Sequence, residues 1–440
     1  MAGGTRGDVQ PFVCLGSALL ERGHEVELVA PRDGETMARA AGLPFRALPA
    51  DAQELFSSES ARRMLVKGRA NSFFRWVRNE EKAYADEMRQ VLVAASESAD
   101  LIVCGILLDA RCRAIAQARG ISMVSLHLAP LIPSRSYPSA LLPQRRLGPL
   151  TRASHLLSLQ MLYRAQRDDL KALHRELEIQ PPTWSAWRHG FSGREPCLLA
   201  YSQALFPRPG DWPSAPHAVG ALRPSPELRA RLGAAGVAPD LDEWLQAGPP
   251  PVFFGFGSMP ILGTSTVLPT IRAALAELGM RGVLAIGWSE VDARSDETLF
   301  VLDEVDHQSL LPRCAAAVHH GGAGTTAASA AAGIPTLVCS VVADQAFWGA
   351  RCRTLGIGDT FPLKKLDARR LVAGLRRVLR RDIVARARQV ARRMTEEDGA
   401  AGAVTSIEEM DRSKRASAGA TFRPPRGRQN AMEVEADRRR

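Results

Sequence analysis

The stretch that most restricts the fold is VHHGGAGTTAASAAAGIPTLVCSVVADQAFWG, residues 318–349. The apolar run AAAV delivers two histidines to a glycine-rich turn. A segment of small residues follows at helical length, and IPTLVCSV then reads as a second buried strand. Strand, helix and strand in that order require a parallel crossover. The same alternation recurs in PPVFFGFGSMP, STVLPTIRAALAELG, RGVLAIGW and TLFVLDEV. It recurs again in the first half, where HEVELVAP, ADLIVCGILL and ISMVSLHLAP read as strands. A helix is expected to start at Pro11, with Phe12, Leu15 and Leu19 at helical spacing and Gly23 closing it. Between the two series lie QPPTWSAWRHG and FPRPGDWPSAPHAVG, dense in proline, glycine and tryptophan. The expectation is an α/β protein of two halves, residues 1–215 and 216–408, followed by a disordered basic tail over 409–440.

Length and charge are consistent with this. A chain of 440 residues exceeds one average domain. Of its formal charge of +10, +5 falls between Asp411 and Arg440, as nine Lys/Arg against four Asp/Glu. That segment has too few large apolar residues to offset its ordering entropy. The other +5, over some four hundred residues, is unremarkable, and no base-stacking or groove-reading motif accompanies it, so a nucleic-acid role is not expected. Seven cysteines with no C-x-x-C pair suggest reduced thiols and a cytoplasmic location. No run of eighteen apolar residues and no secretion signal is present.

The glycine-rich turn has a chemistry of its own. Free N–H groups and the positive end of a helix dipole meet where a helix starts. Gly321, Gly322 and Gly324 let backbone approach an anion, Thr325 adds a hydroxyl, and His319 can donate a proton. The bland reading is an ordinary glycine turn in an αβ unit. The next strand, however, ends at Asp344 and Gln345, at the carboxyl edge where open α/β sheets bind ligands.

HHGGAGTT followed by DQ resembles the donor-binding signature of family 1 nucleotide-sugar glycosyltransferases. GTRGDVQPF, PRPGDWP and PPPVFFGFGSMP are similar to the bacterial and sterol-glucosyltransferase branch, so the likeness runs from about residue 3 to 408. The resemblance implies a GT-B fold, with two Rossmann-like domains across a cleft, acceptor in the N-terminal half and sugar nucleotide mainly in the C-terminal half. By position it implies that His319 contacts the donor diphosphate, that Gly321, Gly324 and Thr325 line the phosphates, and that Asp344 and Gln345 hold the sugar hydroxyls. Ser258 falls close to the phosphates, and His307 and Gln308 fall in a segment that frames the base. Trp288 lies near the base or simply packs, with packing favoured. Glu304 or its neighbour and Ala327 stand where plant-type members carry a tryptophan and a glutamate, which leaves UDP or dTDP open. No metal or other cofactor is expected. The D-x-D at 240–242 follows Pro239 and reads as helix capping.

Asp8 stands where much of the family has a catalytic histidine, and Gly105 where the orienting aspartate belongs. A carboxylate base has no tautomer to fix, so Asp8 is expected to take the acceptor proton; the alternative is a turn or capping residue. His24 reads as structural, whereas His127 ends a strand-like run and reads either as an acceptor contact or as structural. The five or six apolar residues of a first strand do not precede GTRGDVQP, so that strand is missing from the sequence. The expectation is a translation start upstream of Met1, or else a degenerate copy. The leading functional reading is an inverting transfer of hexose, glucose from UDP-glucose first, to a lipophilic sterol, lipid or polyketide acceptor. The alternatives are a dTDP-deoxysugar transferase acting on a glycolipid or antibiotic aglycone, and a non-catalytic sugar-nucleotide binder. SFFRWVRNEEK, residues 72–82, offers weak peripheral membrane contact, with a solvated helix carrying a core-facing aromatic stripe as the favoured reading.

Overall fold

The computed structural model describes residues 1–58, 61, 76, 79–80, 82–233, 236–257, 266–289 and 294–417. It is an α/β protein built on parallel sheets. In the C-terminal half, β7 (Val252–Gly255), β8 (Gly282–Ala285), β9 (Leu299–Leu302), β10 (Ala316–His319), β11 (Thr336–Ser340) and β12 (Gly358–Pro362) form one sheet. Its order is β12-β11-β10-β7-β8-β9, with every pair parallel. Apolar residues cover both faces: Phe254, Val318 and Leu337 pack in one cluster and Phe253, Val283 and Ala317 in another. Near-continuous apolar runs are what a sheet buried on both faces demands. His319 pairs with Gly255, so the loops after β10 and β7 leave the sheet side by side.

The N-terminal sheet comes in two pieces. β1 (Leu28–Pro31) pairs with β2 (Phe45–Leu48), while β3 (Leu101–Gly105), β4 (Ser122–His127), β5 (Cys197–Leu199) and β6 (Pro216–Ala218) form the other. Only Met1 and Ala2 lie between β1 and β3. The Met1 amino group donates to Val103 O at 2.7 Å, Gly105 N donates to Met1 O at 3.1 Å and Ala2 N donates to Val29 O at 2.8 Å. Two residues thus carry the ladder that a full strand carries elsewhere.

Helix α1 (Arg6–Glu21) starts five residues before Pro11, not at it. A capping box sets this start: Thr5 N–H and Thr5 Oγ1 both point to Asp8 Oδ2, at 2.9 and 3.4 Å. Pro11 sits inside the helix, where it lacks the N–H that would serve the Gly7 carbonyl. The half boundary also moves. β6 pairs with β5, so the N-terminal sheet extends to Ala218, and Leu222 and Leu228 pack into the N-terminal core.

The tail is corrected as well. A helix over Gly399–Ser417 returns to the N-terminal half, burying Ala403, Val404 and Ile407 against Val9, Phe12 and Val13. Its Glu408 meets Arg22 at 2.8 Å and His24 at 3.2 Å. Residues 418–440 lie outside the described residues, as does most of 72–82. Trp76 is described, and it is buried in the core of the C-terminal half. No helix among the described residues is long and apolar enough to cross a membrane.

The interval between β1 and β3 yields a test. Five apolar β-formers joined ahead of Met1 would continue the ladder that Met1 and Ala2 begin between the two strands. The expected result is a melting temperature higher by roughly 5 °C in calorimetry. An unchanged value would mean that the two edges do not accept a strand.

Candidate active site

The core of the site is the turn between β10 and α2 (Ala323–Ala331). Gly321 has φ +94°, and a Cβ there would lie 2.5 Å from Val338 Cγ1 and 2.9 Å from Gln345 O. Only glycine fits that backbone. The N-cap is Gly322, and no side chain caps the helix, so its first-turn N–H groups are left for solvent or ligand. Gly324 is exposed with open space around it, and Thr325 is half-buried beside it. An uncapped helix start flanked by glycines suits an anion.

The two histidines divide the work differently from the sequence reading. His319 is fully buried. Its Nδ1 accepts the Gly321 N–H at 2.9 Å, and its Nε2 lies 3.3 Å from Ser329 Oγ, which itself donates to Thr325 O at 2.7 Å. The ring is therefore neutral with its proton on Nε2, and burial holds its pKa well below the usual histidine value. Both nitrogens are engaged in bracing the turn, whereas the sequence reading expects His319 to contact a diphosphate. His320, the next residue, is half-buried between two glycine loops: a Cβ on Gly322 would lie 2.4 Å from its Nε2, and one on Gly257 2.8 Å from its Cε1. Its Nδ1 makes no well-formed hydrogen bond among the described residues. Burial lowers its pKa to about 4, opposed by the Gly255 carbonyl. Consecutive residues at a strand end face opposite ways, which is why one ring braces the turn from the core while the other is half-buried beside Gly322. The doublet itself was the signal in the sequence.

After β11 the chain passes through Ala343, whose φ of +54° is strained for a non-glycine residue, into α3 (Gln345–Leu355). Asp344 stands at the N-cap position of this helix, where its side chain makes no capping bond and instead accepts Trp348 Nε1–H at 2.8 Å. Burial raises its pKa to about 6. Gln345 is buried, and its side-chain oxygen accepts Val341 N–H and Val342 N–H at 2.8 and 3.1 Å, so that oxygen holds the loop rather than a ligand. Ser258 lies outside the described residues. Trp288 is half-buried after Gly287, where a Cβ would come within 2.4 Å of Gly257 O, so its loop abuts the loop that follows β7. His307 packs edge-on against Phe253, and Gln308 Nε2 donates to Pro224 O at 3.3 Å. Asp240 and Asp242 lie in the first turn of the helix Pro239–Gln246, and Asp242 pairs with Arg313.

The N-terminal half supplies the opposite wall. Arg6 pairs with Glu304 across the gap. Asp8 is half-buried; Oδ2 caps α1, and Oδ1 makes no hydrogen bond among the described residues. Burial raises its pKa to about 6; Thr5 opposes this and the Asp344 charge adds to it. Capping and a raised basicity therefore coexist in one carboxyl. A Cβ on Gly105 would touch Phe12 at 3.4 Å, so an apolar ring stands beside the position that matches the family's orienting aspartate. His127, at the end of β4, is buried with neither ring nitrogen partnered among the described residues, and burial lowers its pKa to about 4, opposed by Asp109. Asp109 itself is engaged by Ser125 and, at 3.3 Å, by Arg113.

Comparisons with known proteins place the chain in a family. Residues 1–115 match the family model for the glycosyltransferase family 28 N-terminal domain. Residues 295–410 match that for the erythromycin biosynthesis protein CIII-like C-terminal domain. An uncharacterized glycosyltransferase of Mycobacterium leprae is 30% identical over 421 residues, covering 94% of this chain and 97% of its own. The O-mycaminosyltylonolide 6-deoxyallosyltransferase of Streptomyces fradiae is 31% identical over 426 residues, covering 92% and 95%. A sterol 3-beta-glucosyltransferase of Arabidopsis thaliana is 28% identical over 418 residues, covering 92% and 66%. Among solved structures, the glycosyltransferase VinC in complex with dTDP superposes with a TM-score of 0.62 at 19% identity, covering 93% and 98%. With the parallel sheets, the glycine turn and this likeness over the chain's length, the protein belongs to the family 1 nucleotide-sugar glycosyltransferases of GT-B fold.

Proposed function

We propose that this glycosyltransferase moves a hexose, glucose from UDP-glucose first, onto a hydroxyl of a lipophilic acceptor such as a sterol, lipid or polyketide, with inversion at the sugar carbon. The observation that carries the reading is the uncapped glycine turn with His320 beside it, facing a carboxylate of raised pKa from the other half. Asp8 takes the acceptor proton as the hydroxyl oxygen attacks C1. The bond from C1 to the diphosphate breaks, and the helix N-terminus and His320 receive the departing charge. Asp344 holds sugar hydroxyls. The nucleotide sugar is the one co-substrate this scheme needs, and no step passes through a metal. A dTDP-deoxysugar donor with a glycolipid or antibiotic aglycone is the second reading, favoured by the coverage of the Streptomyces fradiae relative.

Transfer of labelled sugar from UDP-glucose and from dTDP-sugars to a panel of sterols, lipids and polyketides tests the assignment. Product from UDP-glucose supports the first reading, and product from dTDP-sugars alone supports the second. Nucleotide binding without turnover on any pair would replace both with a non-catalytic binder.

Asp8→Asn should lower kcat/KM by about 10²–10⁴-fold while leaving donor affinity intact. In the unmodified enzyme the base must be ionised, so kcat/KM should fall as pH drops through about 6. A limb at the ordinary carboxylate value near 4 would remove Asp8 from the role.

The two adjacent histidines should separate cleanly. His320→Ala should weaken nucleotide diphosphate binding about tenfold or more with little change in melting temperature. His319→Ala strands the Gly321 N–H, so it should cost roughly 2–4 kcal/mol in denaturant unfolding. The reverse pattern would return the anion contact to His319.

We also assign His127 to the acceptor side. His127→Leu removes two unpartnered buried nitrogens, so stability should hold or rise while the acceptor KM increases. An unchanged KM across the panel would make His127 purely structural.

A further inference from the structure

The charge outside the tail is not evenly spread. Residues 351–393 hold fourteen Lys/Arg against three Asp/Glu, a net +11 in a chain whose total is +10. Ahead of the tail, the remaining residues are net acidic. Much of this charge lies on two helices, α4 (Ala368–Val378) and α5 (Arg381–Met394), which carry nine arginines. Their other faces are core: Leu371, Leu375 and Val378 on one, Ala387, Val390 and Met394 on the other. The positive field therefore projects outward from a fixed base.

The junction of α4, α5 and the start of β12 is concave, a pocket of about 490 Å³ lined by Arg353, Arg377, Arg380 and Arg386 together with Asp359 and Asp382. Arg377 pairs with Asp359 at 2.8 Å and Arg380 with Asp382 at 3.0 Å. Arg386 donates to the Leu355 carbonyl at 3.2 Å and to Gln389, both neutral. Arg353 makes no side-chain hydrogen bond among the described residues, so two of the four guanidiniums are in no ion pair there. No side chain caps α5, and its positive end adds to the same concavity.

The pocket is remote from the candidate active site. It includes Gly358, the first residue of β12, which pairs with Thr336, the first of β11. The sheet is parallel, so this is its amino edge, whereas His320 and Asp344 stand at the carboxyl edge. No aromatic side chain lines the pocket, so it has no platform for stacking bases. Clustered guanidinium forks match phosphate oxygens, and the volume suits a small ligand.

We propose that this pocket is a second anion site, taking a ligand that carries two or more phosphate groups. The ligand is either a soluble oligophosphate or a phosphorylated lipid headgroup.

The test uses the full chain with its cleft saturated by UDP or dTDP and inorganic tripolyphosphate as the probe, followed by calorimetry. The expected result is one site at low salt, weakened by added NaCl. In Arg353→Gln/Arg380→Gln it should be weakened at least about tenfold, with nucleotide affinity unchanged. Arg353→Gln/Arg386→Gln serves as an independent pair should the first variant fold poorly. Vesicles bearing phosphorylated inositol headgroups, compared with phosphatidylcholine alone, separate the two sources. Binding lost in the variants assigns a headgroup, and tripolyphosphate binding without vesicle binding assigns a soluble ligand. The proposal is overturned if nucleotide displaces tripolyphosphate or if the variants bind it as well as the parent does. It is also overturned if a single-stranded oligonucleotide binds parent and variants alike, since that describes a diffuse basic surface.

Discussion

The hydrogen bond from Gly321 N–H to the buried His319 ring organises the donor side of this protein. It fixes a left-handed glycine immediately after β10 and turns the chain away from the sheet. The ring's other nitrogen reaches back to Ser329, so the turn and the helix after it are tied together below the surface. With the turn braced from beneath, its upper side carries no side-chain cap, and the helix dipole opens toward the cleft. A buried histidine thus sets the shape of the turn from beneath.

The opposite wall follows the same economy of groups. Asp8 holds the first turn of α1 through one oxygen and leaves the other uncommitted, so its position is fixed by a capping box rather than by a partner behind it. Burial and the facing charge of Asp344 raise its proton affinity toward the range a general base needs. The two halves meet through the exposed Arg6–Glu304 pair, an interaction worth about 0–1 kcal/mol. They also meet through a larger aromatic contact in which Tyr137 and Phe206 pack on Phe347. Apolar packing holds the halves together, while the charged pair bridges the rim.

The amino end of the N-terminal sheet shows how local sequence and long-range pairing can part company. Met1 and Ala2 have no strand pattern of their own, yet β1 and β3 offer carbonyls and an N–H on either side, and two residues suffice to join them. The helix over Gly399–Ser417 was equally hard to read, because its alanines and valine carry little hydrophobic pattern until α1 supplies the facing surface. Its start falls within what reads as the second domain and its end within what reads as tail, because packing against α1 decides it and distance along the chain does not.

The sequence by itself determined the order of strands and helices, the parallel sheets and the glycine turn, because apolar periodicity and glycine placement are local properties. It also pointed to Asp8, Asp344 and the histidine doublet. Tertiary structure alone decided which histidine faces outward, since strand direction and burial, not residue type, set that choice. It alone gave the Gln345 oxygen to the loop and brought Asp8 to face Asp344. It also gathered arginines from α3, α4 and α5 and the segment between them into one concavity. Each of these depends on residues far apart in the chain sharing one dielectric and one set of neighbours, which is fixed only once the sheets have closed.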